Sequence, residues 1–298
     1  MKWMVLLLLL SVAPVWASPP RRTKTLKGHD NFVTSLDLHP EGRLLVSASA
    51  DGTVRIWSVE AGRAKKTIRL PEGEVARRVI FSPDGKSIAV AVEGTVLLLS
   101  SAGDEKRRFE PGQPVTGIVF SPDSTELAVA AGPVRIYSAG TGEEVARLGE
   151  QVMAVAFSPD GKSLAVAGKA GIGLHLRPDG GQRQLSAGAA RDVAFGANGK
   201  YVVAAGEDGN VRAVALDTGA ELWAHAELAS EGTLGTMGSL VLAGIGERRI
   251  WALGGEKGNE EWYLEGKTDD LQIFALAPQA KLLATAGESN TIDLWAWK

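Results

Sequence analysis

Beyond residue 17 the apolar positions fall into short runs, many alternating with polar ones, separated by clusters of Gly, Pro, Asp and Ser. Val33, Leu36 and Leu38 lead into His39-Pro40-Glu41-Gly42. Leu44 to Ser49 follows, then Ala50-Asp51-Gly52, then Thr53 to Trp57. Period-two runs bounded by such turns predict three short β-strands, with a fourth where the chain continues, as at Arg63 to Arg69. The turns have a mechanism. Ser-Pro-Asp-Gly places proline where a type I turn needs a fixed φ and glycine at its exit, and Ala50-Asp51-Gly52 supplies the positive φ of a tight hairpin.

This unit repeats. Its anchor recurs as Phe81-Ser82-Pro83-Asp84-Gly85, Phe120-Ser121-Pro122-Asp123-Ser124, Phe157-Ser158-Pro159-Asp160-Gly161, Phe195-Gly196-Ala197-Asn198-Gly199 and, in worn form, Leu276-Ala277-Pro278-Gln279-Ala280. The residue ending the third strand gives a second ruler, at Trp57, Leu99, Tyr137, His175, Val214, Trp251 and Trp295, with spacings of 42, 38, 38, 39, 37 and 44. Seven copies near 40 residues predict an all-β fold, a seven-bladed β-propeller of four-stranded antiparallel blades occupying residues 18–298 as one domain. The sixth copy, around Glu231 to Arg249, has lost its Pro-Asp-Gly turn. The last copy stops at its third strand, while Arg22 to Leu26 has no blade of its own. That N-terminal strand is therefore expected to complete the last blade and close the ring.

Leu26-Lys27-Gly28-His29-Asp30, followed by the run from Leu44 to Trp57, resembles a well-kept repeat of the WD-repeat family. The resemblance implies a buried hydrogen-bond chain through His29, Ser47 or Ser49, Asp51 and Trp57. Such a chain suits the groups, since an indole N–H only donates and a buried imidazole needs both a donor and an acceptor. Other copies depart from it: the fifth has Ser186 and Val214 in the His and Trp slots, and the last has Gly266-Lys267 and Ser289. Copies two and four also resemble the periplasmic propeller of the Tol system. Ala215 to Trp223 and Ala252 to Trp262 resemble repeats of quinoprotein-type propellers, in which the Trp docks between blades. These resemblances agree on fold and differ on partner.

The first seventeen residues carry one charge, Lys2, then an apolar run ending in Val15-Trp16-Ala17. This predicts a secretory signal peptide cleaved before Ser18, because Trp3 to Ala17 is too short to span a bilayer and contains Pro14. The expected product is exported, periplasmic or secreted, with no membrane span after cleavage. The chain has no cysteine, which excludes disulfides, thiolate nucleophiles and cysteine-ligated metals. A formal net charge of −3 argues against nucleic acid as a partner, since duplex affinity depends on clustered Lys and Arg.

Catalytic motifs return negatives. The four histidines do not cluster. Gly266-Lys267-Thr268 lacks the leading glycine of a phosphate-binding loop, Glu261 standing in its place. Asp37, Asp123, Asp160 and Asp208 are read among carboxylates placed mostly for turn formation. No catalytic, metal or cofactor-binding residue is assigned and no cofactor is expected. An enzyme or quinone-cofactor-type propeller with its site at the central channel stays open as the alternative. The favoured reading is a monomeric interaction scaffold for protein partners, envelope proteins of a bacterium among the candidates. The position four before each anchor varies while its flanks repeat, which marks Thr34, Arg77, Thr116, Met153, Arg191 and Gln272 as a candidate partner-binding face.

Overall fold

The computed structural model describes residues 18–177, 180–186, 188–226, 234–237, 240–245, 249–265, 273–287 and 289–297. Residues 1–17, Gln272 and the 266–268 triplet, on which several sequence expectations rest, lie outside them. Apart from a 3-10 turn at Pro278–Ala280, the described elements are strands, and their sheets are antiparallel. The protein is a β-propeller built of four-stranded antiparallel blades.

The first blade holds strands Val33–Leu38, Leu44–Ser49, Thr53–Ser58 and Arg63–Arg69 in sequence order, innermost to outermost. Blades of the same order are formed by residues 76–109, 190–225 and 234–265. A further sheet has Ile273–Ala277, Leu282–Ala286 and Thr291–Ala296 joined by the N-terminal strand Arg21–Lys27. Leu26 there pairs with Ile292 and Thr25 with Asp293. Trp297 also donates its indole N–H to the Ser18 carbonyl at 2.9 Å.

Seven separate sheets are expected from the repeat count, but among the described residues five are four-stranded and one has seven strands. The difference lies in Glu144–Phe157, a single 14-residue strand that serves as the outer strand of the third repeat and the inner strand of the fourth. Ahead of the first blade the loop Gly28 to Phe32 separates the corresponding strands. Here Gly149-Glu150-Gln151 makes the crossing, and positive φ at Gly149 and Gln151 turns the chain within the ladder. Val134 pairs with Leu148 and Gly132 with Val152, so the bonding continues through the crossing.

Successive sheets pack face to face through apolar side chains. Val54 and Ile56 of the first blade are buried against Val79, Ile88 and Val90 of the second. Leu36, Leu45 and Trp57 meet Ile292 and Leu294 of the sheet that holds the N-terminal strand. The turns follow their residues. Ser82 donates to Asp84 at 2.6 Å, and Gly85, at φ 68°, returns its N–H to the Ser82 carbonyl. In the third copy Ser124 occupies the glycine position and takes φ 63°, a left-handed conformation unusual for a residue with a Cβ.

Candidate functional site

The loops that lead into the innermost strands and the hairpins between second and third strands gather at one end of the blades. In the first blade this end is locked by a buried network. His29 lies between Asp51, 2.8 Å from Nδ1, and Ser47, 2.7 Å from Nε2, and Trp57 donates its indole N–H to the same Ser47 hydroxyl at 2.8 Å. The roles are determined by chemistry. A carboxylate can only accept, so Nδ1 carries the proton and Nε2 accepts from Ser47. Burial lowers the His29 pKa against the raising effect of Asp51, which keeps the ring neutral. Burial also pushes Asp51 upward, but hydrogen bonds from Thr53, His29 and the Asp30 backbone outweigh it and hold the carboxyl at about 2.

Of the two serines considered from sequence, Ser47 is the one in contact with His29 and Trp57. Ser49 instead donates to the Asn31 carbonyl and accepts the Asp51 N–H. Sequence reasoning missed Thr53, whose hydroxyl and N–H both reach Asp51. It also missed Thr285, which accepts the Trp295 indole N–H at 2.9 Å in the Ser47 slot of the last repeat. A hydroxyl ten residues before each tryptophan is the signal that would have found Thr285.

The candidate face is less uniform than its sequence suggests. Thr34 donates to the Ala76 carbonyl at 2.7 Å and Thr116 to the Val152 carbonyl at 3.1 Å, each on the innermost strand of the next repeat. Arg77 and Arg191 are exposed and Met153 is half-buried. Arg77 and Thr116 come together in a cleft of about 500 Å³ that also includes Arg78, Glu93, Pro114 and Val115.

The threonines belong to a wider device. An innermost strand has no neighbour on its channel side, so its backbone groups need other partners. Ser35 accepts the Val79 N–H, Asp37 the Phe81 N–H at 2.7 Å, and Asp192 the Leu234 N–H at 3.0 Å. Asp37 is therefore a strand residue bonded across to the next blade, which corrects its reading as a turn carboxylate. Asp123 and Asp160 do sit in turns, bonded to Ser121 and Ser158. Desolvation raises Asp37 to about 7 against its two backbone hydrogen bonds. It raises Asp192 as well, and the Arg78 charge only partly offsets this.

The other histidines have separate surroundings. His39 is buried in its turn with Nε2 3.1 Å from Arg43, and His225 lies 2.5 Å from the Gly258 carbonyl. His175 is buried with its Nδ1 unpartnered. Trp223 reaches from its own blade to the Gly255 carbonyl of the next at 2.8 Å. Among the described residues no group of three or more His, Asp or Glu is placed to hold a metal ion, and no helix is long and apolar enough to cross a membrane.

The profile of the family "WD domain, G-beta repeat" matches residues 20–58 and 183–213. The first match spans the N-terminal strand and most of the blade that holds the buried network. Both matched segments are WD-type repeats. Similar curated proteins include nuclear distribution protein nudF of Aspergillus terreus, 33% identical over 97 residues, covering 32% of this chain and 22% of that protein. Eukaryotic translation initiation factor 3 subunit I of Emericella nidulans is 28% identical over 151 residues, 45% of this chain and 44% of that one. A ribosome biogenesis protein BOP1 homolog of Aedes aegypti is 39% identical over 84 residues, 28% of this chain and 10% of that one. The chain thus spans less than half the length of each of these WD-repeat relatives.

Proposed function

We propose that the chain is a WD-repeat protein, a non-catalytic scaffold whose ring has seven blades and whose protein partner docks at the loop end. The observation that carries the docking reading is the cleft joining Arg77 of the second repeat to Thr116 of the third, at positions that vary from repeat to repeat. The blade count is supported by the buried clusters between consecutive repeats, including Leu240 and Leu242 with Phe274 and Leu283. The same holds for the third and fourth repeats, where Ala128, Val134 and Ile136 are buried with Val155, Phe157 and Leu164 inside the seven-stranded sheet. Pairing of Arg21–Lys27 with Thr291–Ala296 supports closure by the N-terminal strand. One relative is by name a subunit of a translation initiation factor, in keeping with a role inside an assembly.

Two arginines at equivalent positions of the second and fifth repeats favour a carboxylate-bearing partner segment, which guanidinium groups bind through paired hydrogen bonds. With the purified protein as bait, Arg77→Glu with Arg191→Glu abolishes capture of the partner and leaves the melting temperature nearly unchanged. Arg107→Glu with Arg108→Glu, on the exposed outer strand Glu105–Phe109, retains it. Equal capture by both double variants would place the partner elsewhere.

Export is the second part of the reading and rests on Lys2 and the apolar run to Ala17. The relatives quoted come from fungi and an insect and lend nothing to a bacterial envelope. Mass spectrometry of the protein from its source finds Ser18 as the first residue. An intact Met1-Lys2 terminus would overturn export by this route.

A further inference from the structure

The innermost strands correspond residue by residue through their registers. Ser35, Arg78, Gly117, Ala154 and Asp192 stand three before their anchors, and each pairs with an alanine of the second strand: Ala48, Ala91, Ala130, Ala167 and Ala205. At this position Ser35 and Asp192 each accept a backbone N–H from the next repeat. A guanidinium only donates, so Arg78 cannot make that bond. Among the described residues it makes no other hydrogen bond and no ion pair, although it is half-buried.

The nitrogens of Arg78 keep accessible surface, and the residue lines the cleft of about 500 Å³ together with Arg77, Glu93 and Thr116. On the way round the ring to the fifth repeat, the third and fourth repeats hold only Gly117 and Ala154 at the Arg78 position. The Arg78 charge accordingly reaches Asp192, three repeats away, and lowers its pKa against desolvation. The two groups form no ion pair, so a gap separates guanidinium from carboxylate. Asp192 itself is held in place by the Val193 and Leu234 N–H groups, which it accepts at 2.9 and 3.0 Å.

An unpartnered guanidinium with accessible nitrogens in a cleft is a site for an anion, and the charges around it select which one. Arg77 adds a second cation, exposed Glu93 opposes it, and Asp192 already draws on the field of Arg78. A phosphate would bring a second negative charge towards Glu93 and Asp192. A carboxylate brings one, and its two oxygens match the planar guanidinium fork. We propose that Arg78 binds a single carboxylate carried by the docking partner, with Arg77 beside it, and that Asp192 across the channel restricts the site to one negative charge. That a partner carries the carboxylate rests on the scaffold reading, whereas the anion site itself does not.

The test titrates the purified full chain with acetyl-Gly-Ala-Ala bearing a free carboxylate, with its amide, with acetyl-Gly-Glu-Ala-amide and with inorganic phosphate. Binding is read by calorimetry and by the NMR signal of the Arg78 Nε–H, identified by its loss in Arg78→Gln. A carboxylate peptide moves that signal saturably, and the tighter of the two tells a chain end from an acidic side chain. The plain amide leaves it unmoved, and phosphate binds more weakly than the carboxylate. Arg78→Gln weakens carboxylate binding about tenfold or more, the worth of a hydrogen bond to a charged group. Asp192→Asn keeps an acceptor for the Leu234 N–H, strengthens carboxylate binding and narrows its margin over phosphate. An unmoved Arg78 signal, equal binding of the amide, phosphate binding as tight as the carboxylate, or undiminished binding by Arg78→Gln would overturn the site. Unchanged selectivity in Asp192→Asn would overturn the role of Asp192. Should Arg78→Gln not fold, the wild-type signal and the Asp192→Asn titrations decide. Undiminished capture of the partner by Arg78→Gln would overturn the assignment to the partner. Carboxylate binding with no captured partner would overturn the scaffold reading and leave the site.

Discussion

Ser47 is the residue on which the first blade turns. Its single hydroxyl accepts from Trp57 and donates to His29, and His29 then donates to Asp51. Each group is buried, so removing one partner leaves another unsatisfied, at about 1–3 kcal/mol. Trp57→Phe keeps a ring in the core but removes the donor. It lowers unfolding stability by about 1–3 kcal/mol in denaturant titrations. An unchanged midpoint would show that water reaches this network.

Titration of two aspartates acts in opposite senses. An unfolded aspartate titrates near about 3.9. Asp51, held at about 2 when folded, contributes stability above that unfolded value, and the contribution is lost as pH falls through 2. Asp37, raised to about 7, contributes stability that is complete at acid pH and is lost as pH rises from the unfolded value through 7. Its carboxylate must then accept the Leu38 and Phe81 N–H groups while charged and desolvated. Between pH 5 and 8 the melting temperature of Asp37→Asn rises relative to that of the wild type as pH increases. Parallel pH profiles for the two proteins would remove Asp37 as the cause.

At the scale of the element, two strands depart from the plain repeat. Arg21–Lys27 pairs with the far end of the chain, so without it Thr291–Ala296 becomes an edge with unpaired backbone. Deleting residues 21–27 lowers the melting temperature and promotes association through that edge. A monomeric elution profile with an unchanged melt would show that this pairing is dispensable. Glu144–Phe157 is the other case. A crossing three residues long, turned by Gly149 and Gln151, fuses two repeats into one sheet. Lengthening it with the Gly-His-Asp-Asn sequence of the first repeat separates the strands, read as greater hydrogen exchange at residues 149–152. Unaltered protection there would mean that sheet continuity does not depend on loop length.

At the scale of the whole molecule, the repeats share a fold and divide the chemistry among themselves. The first keeps the buried network, the last keeps its Trp–Thr half, and the fourth has His175 at the Trp57 position. On the channel side, Asp37 and Asp192 tie one innermost strand to the next.

The sequence by itself determined the strands, their turns and the repeat, because these depend on neighbours within a few positions, and Phe-Ser-Pro-Asp-Gly marked every well-kept turn. His29, Asp51 and Trp57 were singled out by the resemblance of the first repeat to the WD-repeat family, and their contacts lie within one blade. Only the tertiary structure decided which serine accepts the indole, that Asp37 bonds across to Phe81, and that Thr34 and Thr116 are tied to the next repeat. It alone decided that residues 144–157 form one strand and that Arg78 is left unpartnered beside its cleft. Each of these depends on what the adjacent blade, or the missing side chains of facing strands, places at a distance of a few ångströms, and no pattern along a single strand encodes that distance.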